Sequence, residues 1–230
     1  MIEFEPIRDE VVKLLGADTS GHSIDHVDRV FRLSNEFAVQ EGADRDIVSL
    51  IALLHDVDDY KLFGRESAEN LTNANAIFNT YPVNRKISQH VLKTIRMMGY
   101  NNHLEGIRPE TLEGKIVSDA DMIDAIGAQG IIRTFQYNAS KGRLFFDKSI
   151  APVTTDMSAE EYRLVNSGHA VQHFFDKLLL IPDIMMTDAG KAESDKRGEI
   201  MVAFLRELFR EEDAKNWEEY LELFLSERKQ

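Results

Sequence analysis

The 230-residue sequence contains no cysteine, which excludes both disulfide bonds and thiolate metal sites. Its acidic start, MIEFEPIRDEVVKLL, lacks the basic segment and long apolar core of a signal peptide. No apolar run approaches the roughly 18–20 residues that a membrane-spanning helix needs. These absences favour a soluble protein of the reducing cytoplasm, with no membrane partner.

Basic residues are scarce: the sequence contains 27 Lys and Arg but 40 Asp and Glu, which gives a net charge of −13. A protein that binds the nucleic-acid backbone needs a basic face, so a nucleic acid duplex is not an expected partner. A small phosphorylated substrate remains compatible with this charge, since a metal ion and a few basic residues can reverse the local field.

Alternating strand patterns joined by two-residue hairpin turns are also missing. Apolar residues instead recur at the three- and four-residue spacing of a buried helix face, first in 27–38 and again in 47–54 and 87–95. The sequence predicts an all-α helical bundle that forms a single domain over 1–230. Segments 99–109 and 138–157 are predicted loops, and the second is long enough to be a lid or the contact of a homodimer.

Four potential metal ligands stand out against this background. His55 and Asp56 follow the apolar run 51–54, and Asp121 lies in a stretch of apolar and small residues. Ionisable groups at core-facing positions are costly unless they are paired or bound to a metal. Together with His26 they offer two imidazoles and two carboxylates, which can hold one divalent ion and leave positions open for water and substrate. Mixed nitrogen and oxygen ligands favour Mn²⁺, Fe²⁺ or Mg²⁺, with Co²⁺ or Ni²⁺ as substitutes in vitro.

Other polar residues are candidates for catalysis or substrate binding. Arg29 lies one helical turn after His26, so both side chains can point the same way and Arg29 can bind a phosphate. Asp59 can orient or deprotonate the attacking water, although a solvated loop residue is an equal alternative. A cationic rim for substrate phosphates is expected from Lys61, Arg133, His173 and Lys177. Ordinary surface salt bridges are the alternative for each of them.

Several histidines and aspartates leave alternatives open. His22 and His26 have the spacing of a metalloprotease helix, but Ser23 replaces the glutamate that peptidase chemistry needs. His169 and His173 repeat this spacing and leave room for a second metal. The rivals of Asp121 are Asp119 and Asp124, which we rank lower, as residues that orient a ligand or cap a helix.

Three segments carry a resemblance to a known family. H-x-x-R-V at 26–30, L-L-H-D at 53–56 and E-G-K-I-V-x-D-A-D-x-x-D-A-I-G-A at 113–128 resemble the HD-domain metal-dependent phosphohydrolase superfamily. More narrowly, the chain is similar to the small bacterial branch of predicted HD hydrolases, where G-I-x-R-T-F at 130–135 and H-x-x-x-K-L-L at 173–179 are also expected. Ser23 departs from this branch, many of whose members have aspartate at that position.

The resemblance implies an HD-type domain with a metal-binding core at about 20–135, on which the C-terminal helices pack. It implies one metal ion held by His26, His55, Asp56 and Asp121. HD enzymes with two metals have further histidines between the HD pair and the last aspartate. Here only His90 and His103 are available for that role, in unconvincing contexts, so one metal is expected.

The implied reaction is the cleavage of a phosphoester or phosphoanhydride bond in a small phosphorylated substrate, with a nucleotide as the expected class. Some relatives convert nucleoside triphosphates into monophosphates and pyrophosphate with Mn²⁺, which is one alternative here. A 5′-nucleotidase acting on monophosphates is a second alternative. A non-catalytic HD module that senses a nucleotide or a partner is a third, although the complete ligand set argues against it.

Overall fold

A computed structural model describes residues 2–16, 23–152 and 169–228 of the chain. Within these ranges it contains no β-strand, and an isolated bridge joins Leu144 to His169. The all-α prediction is confirmed. The α-helices are α1 (Phe4–Leu15), α2 (Ile24–Glu41), α3 (Arg45–Leu54), α4 (Tyr60–Asn70), α5 (Thr72–Thr80), α6 (Arg85–Ile95), α7 (Tyr100–Leu104), α8 (Leu112–Asp124), α9 (Gly127–Ser140), α10 (Gln172–Asp176), α11 (Asp188–Glu211) and α12 (Lys215–Glu227).

The chain divides into two compact units. The first consists of Met1–Asp124 and Met185–Ala192, and the second of Ala125–Ile184 and Glu193–Gln230. The single-domain assignment stays a prediction. No described helix is both long and apolar enough to cross a membrane. His22 and positions 153–157 of the predicted long loop lie outside the described residues.

The first unit is built around α2, α3 and α8, which pack against one another. Asp44 begins α3 by accepting hydrogen bonds from the backbone N–H groups of Asp46 and Ile47. Every residue of α3 from Val48 to Leu54 is buried. A helix that is buried on all of its faces is typically a central helix of the fold. The residues that follow Leu54 therefore lie at the end of a helix that is held rigidly in the core.

The loop prediction for 99–109 is wrong at Tyr100–Leu104, which forms the short helix α7. Gly99 begins it with a positive φ of 98°, a conformation that glycine adopts without steric cost. The side-chain amide of Asn102 donates hydrogen bonds to the backbone carbonyl groups of Arg96 and Met98. These local side-chain hydrogen bonds stabilise a turn that the polar composition alone disfavours.

The second unit contains an aromatic cluster around Trp217, which is fully buried. The indole Nε1–H donates to the backbone carbonyl of Ile150 over 2.9 Å, so the buried polar group of the ring is satisfied. His169 packs against this indole at a centroid distance of 5.2 Å, and its Nδ1 accepts from the backbone N–H of Val171. His169 precedes α10, whereas His173 lies within it, so the two histidines do not share a helix.

Asp119 and Glu41, both in the first unit, bind the beginning of α11. The buried Asp119 carboxylate accepts from the backbone N–H groups of Met186 and Thr187 and from Thr187 Oγ1 over 2.7 to 3.0 Å. Glu41 Oε1 accepts from the Ala189 N–H over 2.7 Å. Carboxylates are favoured at helix N-termini, where backbone N–H groups lack helical partners. The Asp119 carboxylate is therefore engaged in hydrogen bonds with residues 186–187.

Replacing Gly190 with alanine is expected to destabilise the protein. The added Cβ would lie about 2.9 Å from both Cβ and Cγ of Asp119 and closer still to its Oδ2. Because Asp119 is held by these hydrogen bonds, it cannot retreat without breaking them. We expect the free energy of unfolding in urea to fall by roughly 1–3 kcal/mol, the usual cost of overpacking.

Gly198→Ala on the same helix is the matched control. Within the described part of the chain its added Cβ would meet only Pro182 Cγ, at 3.4 Å, and alanine is the better helix former by up to about 1 kcal/mol. Equal stability of the two variants would contradict the tight fit at Gly190.

Candidate metal centre

His26 lies in the first turn of α2, with its side chain buried. Its Nδ1 is 2.7 Å from Oδ2 of Asp124. Arg29 donates to both oxygens of that carboxylate, through Nε to Oδ1 and through Nη2 to Oδ2. A carboxylate in such a pair is ionised and can only accept, so Nδ1 of His26 donates to it, and Nε2 is the atom available to a second proton or to a metal ion.

His55 is the first residue after α3, and its Nδ1 lies 2.8 Å from the backbone carbonyl oxygen of Ala52. A carbonyl oxygen can only accept, so this ring also carries its proton on Nδ1. The two Nε2 atoms of His26 and His55 face each other at 3.1 Å. Two lone pairs at this separation repel, so a cation, either a proton or a metal ion, is needed between or beside them. Both rings thus have the arrangement typical of metal-bound histidine, whose other nitrogen donates to a carboxylate or a backbone carbonyl.

Two carboxylates complete the group. Asp56 Oδ2 lies 3.4 Å from Nε2 of His26 and 3.7 Å from Nε2 of His55. Asp121 Oδ1, from the last turn of α8, lies 3.3 and 3.8 Å from the same atoms. Donors that share one small divalent ion are about 3.0–3.5 Å apart, because each lies about 2.0–2.2 Å from the ion. The donor atoms of His26, His55 and Asp56 all lie within 4.8 Å of one another, close enough to share one divalent ion, and Asp121 lies beside this group.

The four side chains differ in their exposure. His26 and His55 are 3% and 2% exposed, whereas Asp56 and Asp121 are 14% and 23% exposed. The imidazoles therefore form the closed side of the group, and the carboxylates form the side that solvent reaches. Partly exposed donors of this kind are expected in a catalytic metal site, which keeps a position for water or substrate.

The pKa values of His26 and Asp121 reflect the negative electrostatic potential of this site. Burial lowers the pKa of His26, but its hydrogen bonds with Asp121 and Asp124 and the charge of Asp56 outweigh burial and raise it to about 9. Burial acts in the opposite direction on Asp121, whose pKa is nevertheless held below its usual range by the hydrogen bond with His26 and by the charge of His55. The site attracts a cation, be it a proton or a metal ion.

The predicted catalytic residue Asp59 lies three residues beyond Asp56 and is partly exposed. Its carboxylate accepts from the backbone N–H of Lys61 over 2.9 Å and thereby caps α4. Lys61 itself is exposed, with its ammonium group 5.8 Å from the centroid of the Tyr60 ring. Neighbouring Asp58 is buried and accepts from Ser67 Oγ and from the backbone of Asn73 and Ala74. The roles predicted for Asp59 and Lys61 stay predictions.

The remaining candidates lie apart from the histidine and carboxylate group along the chain. Arg133, on α9, and His173 and Lys177, in and just after α10, belong to the second unit. His90 lies on α6 with Nε2 near the hydroxyl of Thr111, and His103 lies on α7 beside Tyr100. Among the described residues, neither joins a cluster of three or more metal-binding side chains.

Arg29 makes a contact with Asp124 that was not predicted from the sequence. The spacing placed Arg29 beside His26 and suggested a phosphate ligand, but the structure shows its guanidinium paired with Asp124. The sequence does contain a signal for this contact. His26 and Arg29 are three residues apart on one helix, as are Asp121 and Asp124 on another, and residues at that spacing share a helix face. If His26 and Asp121 meet, Arg29 and Asp124 can meet as well. The contact of Arg29 with a substrate phosphate stays a prediction.

Comparison with known proteins assigns the family. Residues 23–126 match the model of the HD domain. The Bacillus subtilis protein YpgQ is 33% identical over 208 residues, which cover 89% of this chain and 91% of YpgQ. The crystal structure of YpgQ in complex with ADP has a TM-score of 0.67 and 30% identity, over 90% of this chain and 93% of that one.

A second crystal structure, of an HD-superfamily hydrolase from Bacillus thuringiensis, has a TM-score of 0.71 and 33% identity, over 92% of this chain and 97% of that one. The motifs, the helical fold and these relatives agree. The chain belongs to the HD-domain family.

Proposed function

We propose that this protein is a divalent-metal-dependent phosphohydrolase that acts on a nucleotide. The observation that carries the proposal is the pair of facing Nε2 atoms, 3.1 Å apart, flanked by the carboxylates of Asp56 and Asp121. This donor set binds one small divalent ion, with Mn²⁺, Fe²⁺ or Mg²⁺ as the expected metals. The binding of ADP by YpgQ supports a nucleotide as the substrate class.

When bound, a divalent ion supplies Lewis acidity toward phosphoryl oxygens and lowers the pKa of a water molecule. The substrate phosphate approaches from the side of Asp56 and Asp121, because the histidine side is closed. Asp59 accepts a proton from the attacking water in this proposal. Lys61 would balance the charge of a remaining phosphate. The roles of Arg133, His173 and Lys177 stay predictions.

The bond that is cleaved distinguishes the enzymatic alternatives. Cleavage between the α- and β-phosphates of a nucleoside triphosphate gives a monophosphate and pyrophosphate. A 5′-nucleotidase would instead release inorganic phosphate from a monophosphate. A sensor module would bind nucleotides and leave them intact.

Incubating the purified protein with nucleoside mono-, di- and triphosphates in Mn²⁺, Mg²⁺, Co²⁺ or Ni²⁺ tests the proposal. We expect turnover of at least one nucleotide, and its loss when the ion is removed by a chelator. Chromatography of the nucleotide products together with separate assays for phosphate and pyrophosphate identifies the bond. Binding of the nucleotides without turnover in any of the metals would refute the phosphohydrolase and favour the sensor.

A further inference from the structure

Asp124 lies between His26 and Arg29 and contacts both. Its Oδ2 is 2.7 Å from Nδ1 of His26 and 2.9 Å from Nη2 of Arg29, and its Oδ1 is 2.6 Å from Nε of Arg29. The carboxylate is buried, and the guanidinium is partly exposed. Two residues from one turn of α2 thus bind one carboxylate at the end of α8.

This contact orients the ring of His26. The bond from Nδ1 to Asp124 fixes both the direction of the imidazole and the position of its proton, which leaves Nε2 as the atom that faces His55 and Asp121. Arg29 binds Asp124 through two nitrogens of its planar guanidinium, a geometry that also fixes the orientation of the carboxylate. Partners of this kind typically change metal affinity 10- to 100-fold when they are removed from a metal-binding histidine.

We propose that Asp124 and Arg29 are positioning residues for the metal centre: Asp124 holds His26 as a nitrogen ligand, and Arg29 holds Asp124. The inference rests on the proposed metal site. It also gives Arg29 a role other than the phosphate contact predicted from its spacing. A phosphate ligand affects the binding of substrate, whereas a positioning residue affects the binding of the metal.

The test compares Mn²⁺ affinity with substrate affinity in three variants. Calorimetric titration of the metal-free protein with Mn²⁺ should give a Kd about 10- to 100-fold weaker for Asp124→Asn. We expect a smaller loss for Arg29→Gln, since His26 and Asp124 remain paired. Arg29→Lys should recover part of that loss, because lysine restores the charge but not the two-nitrogen contact. In saturating Mn²⁺, the KM of each variant for the best nucleotide substrate should stay within twofold of wild type.

Arg32→Gln is the matched control, since Arg32 lies on the same helix, is exposed and pairs with Glu36. Its Kd for Mn²⁺ and its KM should equal those of wild type. Thermal unfolding of each metal-free variant checks that the protein is folded. Should Asp124→Asn fail to fold, the comparison of Arg29→Lys with Arg29→Gln decides the question alone.

Two results would overturn the positioning role. One is an unchanged Mn²⁺ Kd in Asp124→Asn or, if that variant does not fold, in Arg29→Gln. The other is an Arg29→Gln variant with wild-type Mn²⁺ affinity and a raised KM, which would make Arg29 a substrate ligand. Neither result affects the proposed phosphohydrolase activity. Conversely, a wild-type protein that binds Mn²⁺ without hydrolysing any nucleotide would refute that activity and leave the comparison of metal affinities valid.

Discussion

Replacing Asp56 with alanine is expected to abolish nucleotide hydrolysis and to remove most of the metal affinity. In the proposed metal site Asp56 supplies one of the two carboxylates that offset the charge of a divalent ion, and its Oδ2 lies within 3.7 Å of both facing Nε2 atoms. Without it the ion loses a ligand on the side where the substrate phosphate must approach. We expect kcat/KM to fall by at least about 10³-fold, since the Lewis acidity of the metal is lost with it.

The measurement combines steady-state hydrolysis with metal analysis of the purified variant. Asp46→Ala is a suitable control, because Asp46 is an exposed carboxylate in the first turn of α3, the helix that leads to Asp56. Its activity and metal content should match those of wild type. Hydrolysis that survives in Asp56→Ala at a rate near wild type would show that the metal site has been assigned to the wrong residues.

The metal-free protein is expected to lose stability as the pH rises from about 6.5 to about 9. The pKa of His26 is about 9 in the folded protein and 6.5 in the unfolded chain. A raised pKa stabilises the folded state below pH 6.5, where the ring is protonated in both states, and this contribution disappears as the pH passes 9. The shift corresponds to a contribution on the order of 3 kcal/mol, at about 1.4 kcal/mol per pH unit.

Thermal unfolding in a chelator across this pH range checks the expectation. The melting temperature of the metal-free protein should fall by roughly 6–12 °C, at about 2–4 °C per kcal/mol for a chain of this size. Added Mn²⁺ should stabilise the protein more at pH 9 than at pH 6.5, since the metal competes with the proton for Nε2 of His26.

His26→Gln provides the control for the titration, because it removes the titrating ring and leaves the other ionisable groups in place. Its melting temperature should change less with pH than that of wild type. If the profiles of wild type and His26→Gln coincide, the charge on His26 does not govern the stability of the metal-free protein.

Much of the fold could be predicted from the sequence because helix periodicity is a local property. The apolar spacing in 27–38 and 47–54 corresponds to α2 and α3, and the polar composition of 99–109 failed only where the anchored turn Tyr100–Leu104 is helical. The division into two compact units lacked such a local signal. It follows from contacts between distant segments, as when residues 186–189 bind Asp119 and Glu41.

The candidate site shows the same division between local and distant information. The motifs alone determined which residue types are present, namely two histidines and two aspartates at the ends of helices, and with them the family. The tertiary structure decided what each polar group faces. It directed Asp119 to the backbone at the start of α11, Asp124 to His26 and Arg29, and Asp121 to the two facing Nε2 atoms. Residues separated by 95 or more positions meet in this site, and side-chain partners at such separations depend on the packing of α2 against α8, which spacing within a helix does not encode.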